Sequence, residues 1–191
     1  MSIYTLRPME FAGLKTVSLH GRGGKVTPAM FGKPHTPGAP LSSFLASLPQ
    51  ILAADTLREV AGKILEAKAK NRSILWGIGG HVIKTGLGPV IVDLMEQGIV
   101  TSVSMNSAAS IHDVETALFG RTSEDVAANL QDGTFGMSRE TGEFINGTLA
   151  RAMELDEVGY GEALGLELER VAAPNRAISV IARAVALKVP V

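Results

Sequence analysis

Two pairs of side chains in this sequence are of types that move protons or hold charge, and each pair follows a run of small residues. His81 and Lys84 come directly after Gly79-Gly80, and His112 and Asp113 directly after Asn106-Ser-Ala-Ala-Ser110-Ile. Histidine titrates near neutrality and serves as general acid or base. A carboxylate such as Asp113 grips a cationic substrate, and a lysine such as Lys84 grips an anion. Successive helical positions diverge by about 100 degrees, so His112 and Asp113 do not project the same way from a helix. Ser110-Ile-His-Asp113 therefore has two readings that stand level. In one it is a capping box, with Ser110 as N-cap and Asp113 reaching back to it. In the other Asp113 holds a substrate cation and His112 transfers a proton. Asn106, Ser107 and Ser110 add polar contacts at the same turn.

The elements that must position these residues are two strands and the helices behind them. Ser73–Ile78 is a short apolar run ending at glycines, and Ile99–Met105 is a second, β-branched one. Between them Gly86–Gln97 reads as a helix closed by Gly98. Strand, helix and strand at this spacing form a βαβ unit, parallel and right-handed. Open α/β sheets bind ligands at the carboxyl ends of such strands. The sequence thus predicts a crevice at Gly79–His81 and Asn106–Ala108. The dinucleotide fingerprint is incomplete: Val82 stands where G-x-G-x-x-G needs its third glycine, and the second strand ends in Met105-Asn106 instead of a ribose-binding acid. No glycine precedes Lys84, so this is not a P-loop. What is left is a turn open to a ligand, leading to a helix N-terminus that favours anions. The competing reading is a tight turn that needs glycine for its own geometry.

After the second strand the pattern becomes helical, over Ile111–Phe119, Ser123–Gln131, Ser138–Leu155 and Glu162–Val171, with Thr122-Ser-Glu-Asp125 as a capping box. Pro174 opens a further helix over Asn175–Leu187, and Lys188-Val-Pro-Val191 has the character of a third strand. Upstream, helical periodicity from Leu41 to Leu52 is interrupted at Pro49. A second helix follows, capped by Asp55 or Thr56, with Leu57, Val60, Ala61 and Ile64 on one face. Residues 1–40 are a Gly/Pro-rich arm with one short strand at Leu14–Leu19. The expected architecture is α/β: a Rossmann-like parallel sheet, partial in this chain, with a helical excursion after its second strand. The expected division is an arm over 1–40 and this domain over 41–191. Glu154, Asp156 and Glu157 read as a solvated helix end.

Composition narrows the function. Over 191 residues, 46% apolar and 19% charged content is that of a globular chain, and a formal net charge of −1 argues against nucleic acid or an acidic membrane as partner. Cysteine is absent, which excludes disulfides and thiol nucleophiles and suits a reducing compartment. No apolar run reaches a membrane span and the first residues lack a signal-peptide core, so the expected location is the cytoplasm. His20 and His35 have no ligand-like spacing, and neither HxxxH nor a G-x-S-x-G elbow occurs, so no metal is expected.

At the same two turns the chain resembles the deoxyhypusine synthase family, in particular a divergent prokaryotic branch. These are NAD-dependent enzymes that transfer an aminobutyl group from spermidine to a lysine. The resemblance runs roughly from Leu57 to Val191. The family's Thr-Ser-Asn turn corresponds to Gly79-Gly80-His81 with Thr85-Gly86 behind it, and its Thr-Ala-Gly-Gly-Ile-Glu-Glu segment to the stretch ending at Asp113. The resemblance implies NAD contacts at Gly79, Gly80, Thr85, Asn106, Ser107 and Ala108. It implies an amine substrate at Asp113 and His81, His112 as the catalytic residue, and a homo-oligomer, a tetramer by analogy. The family's lysine nucleophile has no counterpart here, so the chain is expected to be part of a longer one. Two other classes stay open. One is a sugar-phosphate isomerase, with phosphate at the helix after Gly80 and His112 moving the proton. The other is a non-catalytic binding or assembly domain.

Overall fold

The computed structural model describes residues 10–154 and 158–191. The chain divides into two compact units, Met1–Val60 and Ala61–Val191. Among its described residues the first unit holds two single 3-10 turns, Leu19–Gly21 and Pro28–Met30, helix α1 (Leu41–Ser47) and the start of α2 (Leu52–Ala69). The strand expected at Leu14–Leu19 does not form. Among the described residues no strand pairs with it, and Leu14, Val17 and Leu19 are all exposed. α1 stops two residues before Pro49, whose ring is incompatible with a continuing helix. The Arg58 guanidinium donates to the carbonyls of Leu45, Leu48 and Pro49 at 3.0, 2.5 and 2.9 Å, groups that a helix end leaves without partners. α2 begins at Leu52, so Asp55 lies inside its first turn and is not its cap.

In the second unit β1 (Leu75–Ile78) runs parallel to β2 (Ser102–Met105), with Leu75 opposite Ser102 and Ile78 opposite Met105. Side chains alternate across a strand. Trp76, Ile78, Val103 and Met105 turn inward onto Ile83, Ile91, Val92, Met95, Val100 and Ala109, while Leu75, Gly77 and Ser104 stay exposed. The connection is two helices, α3 (Gly80–Lys84) directly after the glycine turn and α4 (Gly88–Glu96) within the helix expected over Gly86–Gln97. The break falls at Gly86, whose φ of +90° no ordinary side chain adopts readily. At Gly88 an added Cβ would come 2.9 Å from the Ile178 carbonyl oxygen, so the start of α4 depends on a missing side chain.

Beyond β2 come α5 (Ser107–Phe119), α6 (Val126–Asp132), α7 (Arg139–Ala152), α8 (Tyr160–Arg170), a 3-10 turn at Arg176–Ile178 and α9 (Val180–Ala186). The expected end of α7 at Leu155, and Asp156 and Glu157 of the acidic patch, lie outside the described residues. The single helix expected over Asn175–Leu187 is interrupted at Ser179. Its backbone is extended and its hydroxyl accepts the Ala182 N–H at 3.0 Å, starting α9 afresh. Ile181 and Ala182 of α9 join Val114, Ala117, Ile145, Leu164, Leu168 and Ala173 in a second core. α9 sits close to α8 because Gly165 has no Cβ; one there would lie 2.9 Å from the Ile181 carbonyl oxygen and would overlap Val185. The carbonyl of Pro190 accepts the Val103 N–H at 2.9 Å, so the last residues lie along the free side of β2. The fold is α/β, a small parallel sheet amid mostly helical structure.

Candidate functional site

Because β1 and β2 are adjacent and parallel, the two turns at their carboxyl ends lie side by side, and a helix starts from each. At Gly79 an added Cβ would meet only the Asn106 Nδ2, at an ordinary 3.8 Å, so the backbone there is open. At Gly80 it would come within 3.0 Å of His112 Cδ2 and 3.1 Å of the Ala108 Cβ. Gly80 therefore serves the close approach of α3 to α5, and its glycine identity is explained by packing.

Asn106 is extended and its Oδ1 accepts the Ala109 N–H at 3.0 Å, which makes it the N-cap of α5. The expected cap, Ser110, lies a turn inside the helix. It is fully buried, and its Oγ lies 2.9 Å from the Ser107 carbonyl and 2.8 Å from the Tyr160 hydroxyl. Ser107 and Ala108 are exposed on the first turn, where helix geometry leaves N–H groups without internal partners. His81 and Lys84 are exposed on α3, and Thr85 is exposed at its C-cap. The Thr85 hydroxyl donates to the His81 carbonyl at 2.7 Å, at the end of α3 away from the turn.

Asp113 corrects both of its sequence readings. It is 1% exposed and neither reaches back to Ser110 nor faces a cleft. Its Oδ2 accepts the Ser179 hydroxyl at 2.6 Å and the Ile181 N–H at 3.0 Å, and its Oδ1 accepts the Val180 N–H at 2.8 Å. Asp113 thus caps α9 from α5. Burial pushes its carboxyl above the usual range, against the pull of the three hydrogen bonds.

His112, one position earlier, points elsewhere. Its Nδ1 lies 2.7 Å from Thr122 Oγ1, and Thr122 donates to Glu115 Oε2 at 2.5 Å. The other Glu115 oxygen accepts the Thr141 hydroxyl at 3.0 Å, and Thr141 lies 2.9 Å from the Ser138 hydroxyl. The box expected at Thr122–Asp125 is thereby redistributed. Asp125 alone caps α6, accepting the Ala128 N–H at 3.1 Å, and Thr122 serves His112. As partners of His112, Thr122, Glu115, Thr141 and Ser138 escaped the sequence reading. One signal was present, since His112 and Glu115 are three apart and share a helix face. The structure thus brings His112 to Gly80 at the turns and turns Asp113 away from them. Among the described residues no three His, Asp or Glu side chains converge as a metal site, and no helix is long and apolar enough to cross a membrane.

Residues 58–148, which contain both turns and the His112 network, match the family described as arginine dihydrolase ArgZ-like, C-terminal, Rossmann fold. The fold is of the Rossmann type. Ornithine cyclodeaminase of Methanothermobacter thermautotrophicus is 31% identical over 65 residues, which cover 34% of this chain and 16% of that protein. Neither similarity is to deoxyhypusine synthases, and the resemblance drawn from the two turns is overturned. The geometry agrees: Asp113, the residue that resemblance assigns to the polyamine ammonium, is closed off by α9.

Proposed function

We propose that the Rossmann-type domain binds a nicotinamide dinucleotide across the Gly79 and Asn106–Ala108 turns and belongs to an enzyme that works on the amine-bearing carbon of an amino acid. The observation that carries this is the pair of adjacent βα turns inside the stretch similar to the ArgZ-like Rossmann family. The open backbone at Gly79 and the exposed first turn of α5 suit a pyrophosphate. Asn106 holds that turn in place through its cap, and Ser107 and Ala108 offer N–H groups. The relative named ornithine cyclodeaminase supplies the substrate class, an amino acid carrying a second amine. Cyclising deamination of such a substrate forms one carbon–nitrogen bond, breaks another and releases ammonia, with no net redox change. The substrate's own second amine is the nucleophile, so no lysine of the protein is needed for that role. When bound, a nicotinamide supplies reversible hydride removal from the amine-bearing carbon. In this reading His112, which packs beside Gly80, takes and returns the amine proton.

A thermal-shift screen tests this against the phosphate-sugar reading. A ligand specific for the folded state raises stability as RT ln(1 + [L]/Kd), about 2.7 kcal/mol at a hundredfold excess over Kd. NAD or NADH should raise the melting temperature, and ornithine should raise it further in their presence. A shift with sugar phosphates and none with either dinucleotide would replace this reading with the isomerase.

A further inference from the structure

We propose that Thr122 and Glu115 hold His112 in its Nδ1–H tautomer and so make Nε2 the atom that takes up a proton. A hydroxyl has one hydrogen to give. Thr122 Oγ1 stands 2.5 Å from Glu115 Oε2 and 2.7 Å from His112 Nδ1. A carboxylate only accepts, so the Thr122 hydrogen goes to Glu115 and Oγ1 must accept from Nδ1–H. The direct distance between His112 Nδ1 and the Glu115 carboxylate is 3.9 Å, beyond a hydrogen bond, so Thr122 is the intermediary. Glu115 is in turn fixed from the far side. The Thr141 hydroxyl, 4% exposed, donates to Oε1, which leaves Ser138 to donate to Thr141. Every hydrogen in the chain points toward Glu115.

The consequence lies on the other side of the ring. Nε2 makes no hydrogen bond among the described residues, and Cδ2, the carbon bonded to it, lies against Gly80 at the β1 turn. A neutral His112 in this tautomer carries a bare lone pair on Nε2 and is a base there. Thr122 and Glu115 are positioning residues: they decide which nitrogen is free. That Nε2 draws its proton from a substrate amine rests on the function proposed above. The tautomer itself does not, and its test is separate from activity.

The test is long-range 1H–15N correlation of the imidazole rings in the 15N-labelled full chain, at about pH 9, well above the ordinary histidine value of ~6.5. The chain has four histidines, and a His112→Gln variant identifies the signal of interest. His112 should show Nδ1 protonated and Nε2 bare. Thr122→Ser should preserve that pattern, and Thr122→Val should shift the population to Nε2–H, the form free imidazole prefers. Nε2–H in the unaltered protein overturns the proposal whether or not Thr122→Val folds, and so does a Thr122→Val spectrum that matches the unaltered one. A chain with the Nδ1–H tautomer that binds no dinucleotide would sink the proposed function and leave this inference standing. A dinucleotide-binding chain with Nε2–H would do the reverse.

Discussion

Asp113 joins two helices whose contacting residues are 66 to 68 positions apart in the chain. Its two oxygens take the start of α9, and no water-facing alternative exists for the three donors it satisfies, because Ser179, Val180 and Ile181 are fully buried. Asp113→Ala should therefore cost about 3 kcal/mol or more, since each buried donor left unmatched costs about 1–3 kcal/mol. An exposed helix cap costs only about 1 kcal/mol. Urea unfolding separates the two, and a loss near 1 kcal/mol would mean the α9 contact is incidental. The spacing in the sequence placed Asp113 on a helix beside a histidine, and that was legible. Its partner was not, because nothing local to positions 110–113 marks a contact with position 179. His112 shows the same limit from the other direction: its neighbour Glu115 was visible at i+3, but the bridging Thr122 read as part of another helix's cap.

Among the helices, α7 and α8 are tied at Glu167. This residue is buried on α8, accepts from Arg170 Nε and Nη2 at 2.6 and 2.8 Å, and pairs with Arg151 of α7. The Arg170 hydrogen bond foremost, with Arg151 adding to it, holds the Glu167 carboxyl below the usual range. A carboxyl lowered in the folded state stabilises above its unfolded value, near 4.3, and that contribution fades as pH falls through the folded value. Both arginines are more than half exposed, so solvent limits the effect to about 1 kcal/mol. Unfolding of Glu167→Gln should thus show a deficit at pH 7 that narrows as pH falls below the ordinary glutamate value of about 4.3. A deficit that does not change with pH would assign the loss to packing.

The elements themselves were largely readable. The two strands, the Pro49 break and the run of helices after β2 follow from periodicity and punctuation. The break at Ser179 was not, because it is set by a tertiary neighbour: Ser179 must reach Asp113. Periodicity alone continues smoothly through that place.

At the scale of the whole molecule, the parallel order of β1 and β2 matters most. It puts two small-residue turns next to each other, and the last residues extend the hydrogen bonding past β2. The α/β architecture was legible because a βαβ unit has one hand and one polarity. The resemblance attached to those turns failed because it rested on short motifs, and one of them ends in a residue the fold uses for its own core. The central claim is that a dinucleotide lies across these turns, and calorimetric titration of NADH into the full chain and a Ser107→Asp variant tests it most directly. Ser107 is exposed at the first position of α5, where a carboxylate suits the helix dipole and leaves the fold intact. It would, however, set a negative charge against the pyrophosphate. Saturable binding by the unaltered chain and a loss of about tenfold or more in Ser107→Asp, at unchanged melting temperature, is the expected result. No binding by the unaltered chain, or equal affinity in the two proteins, would contradict it.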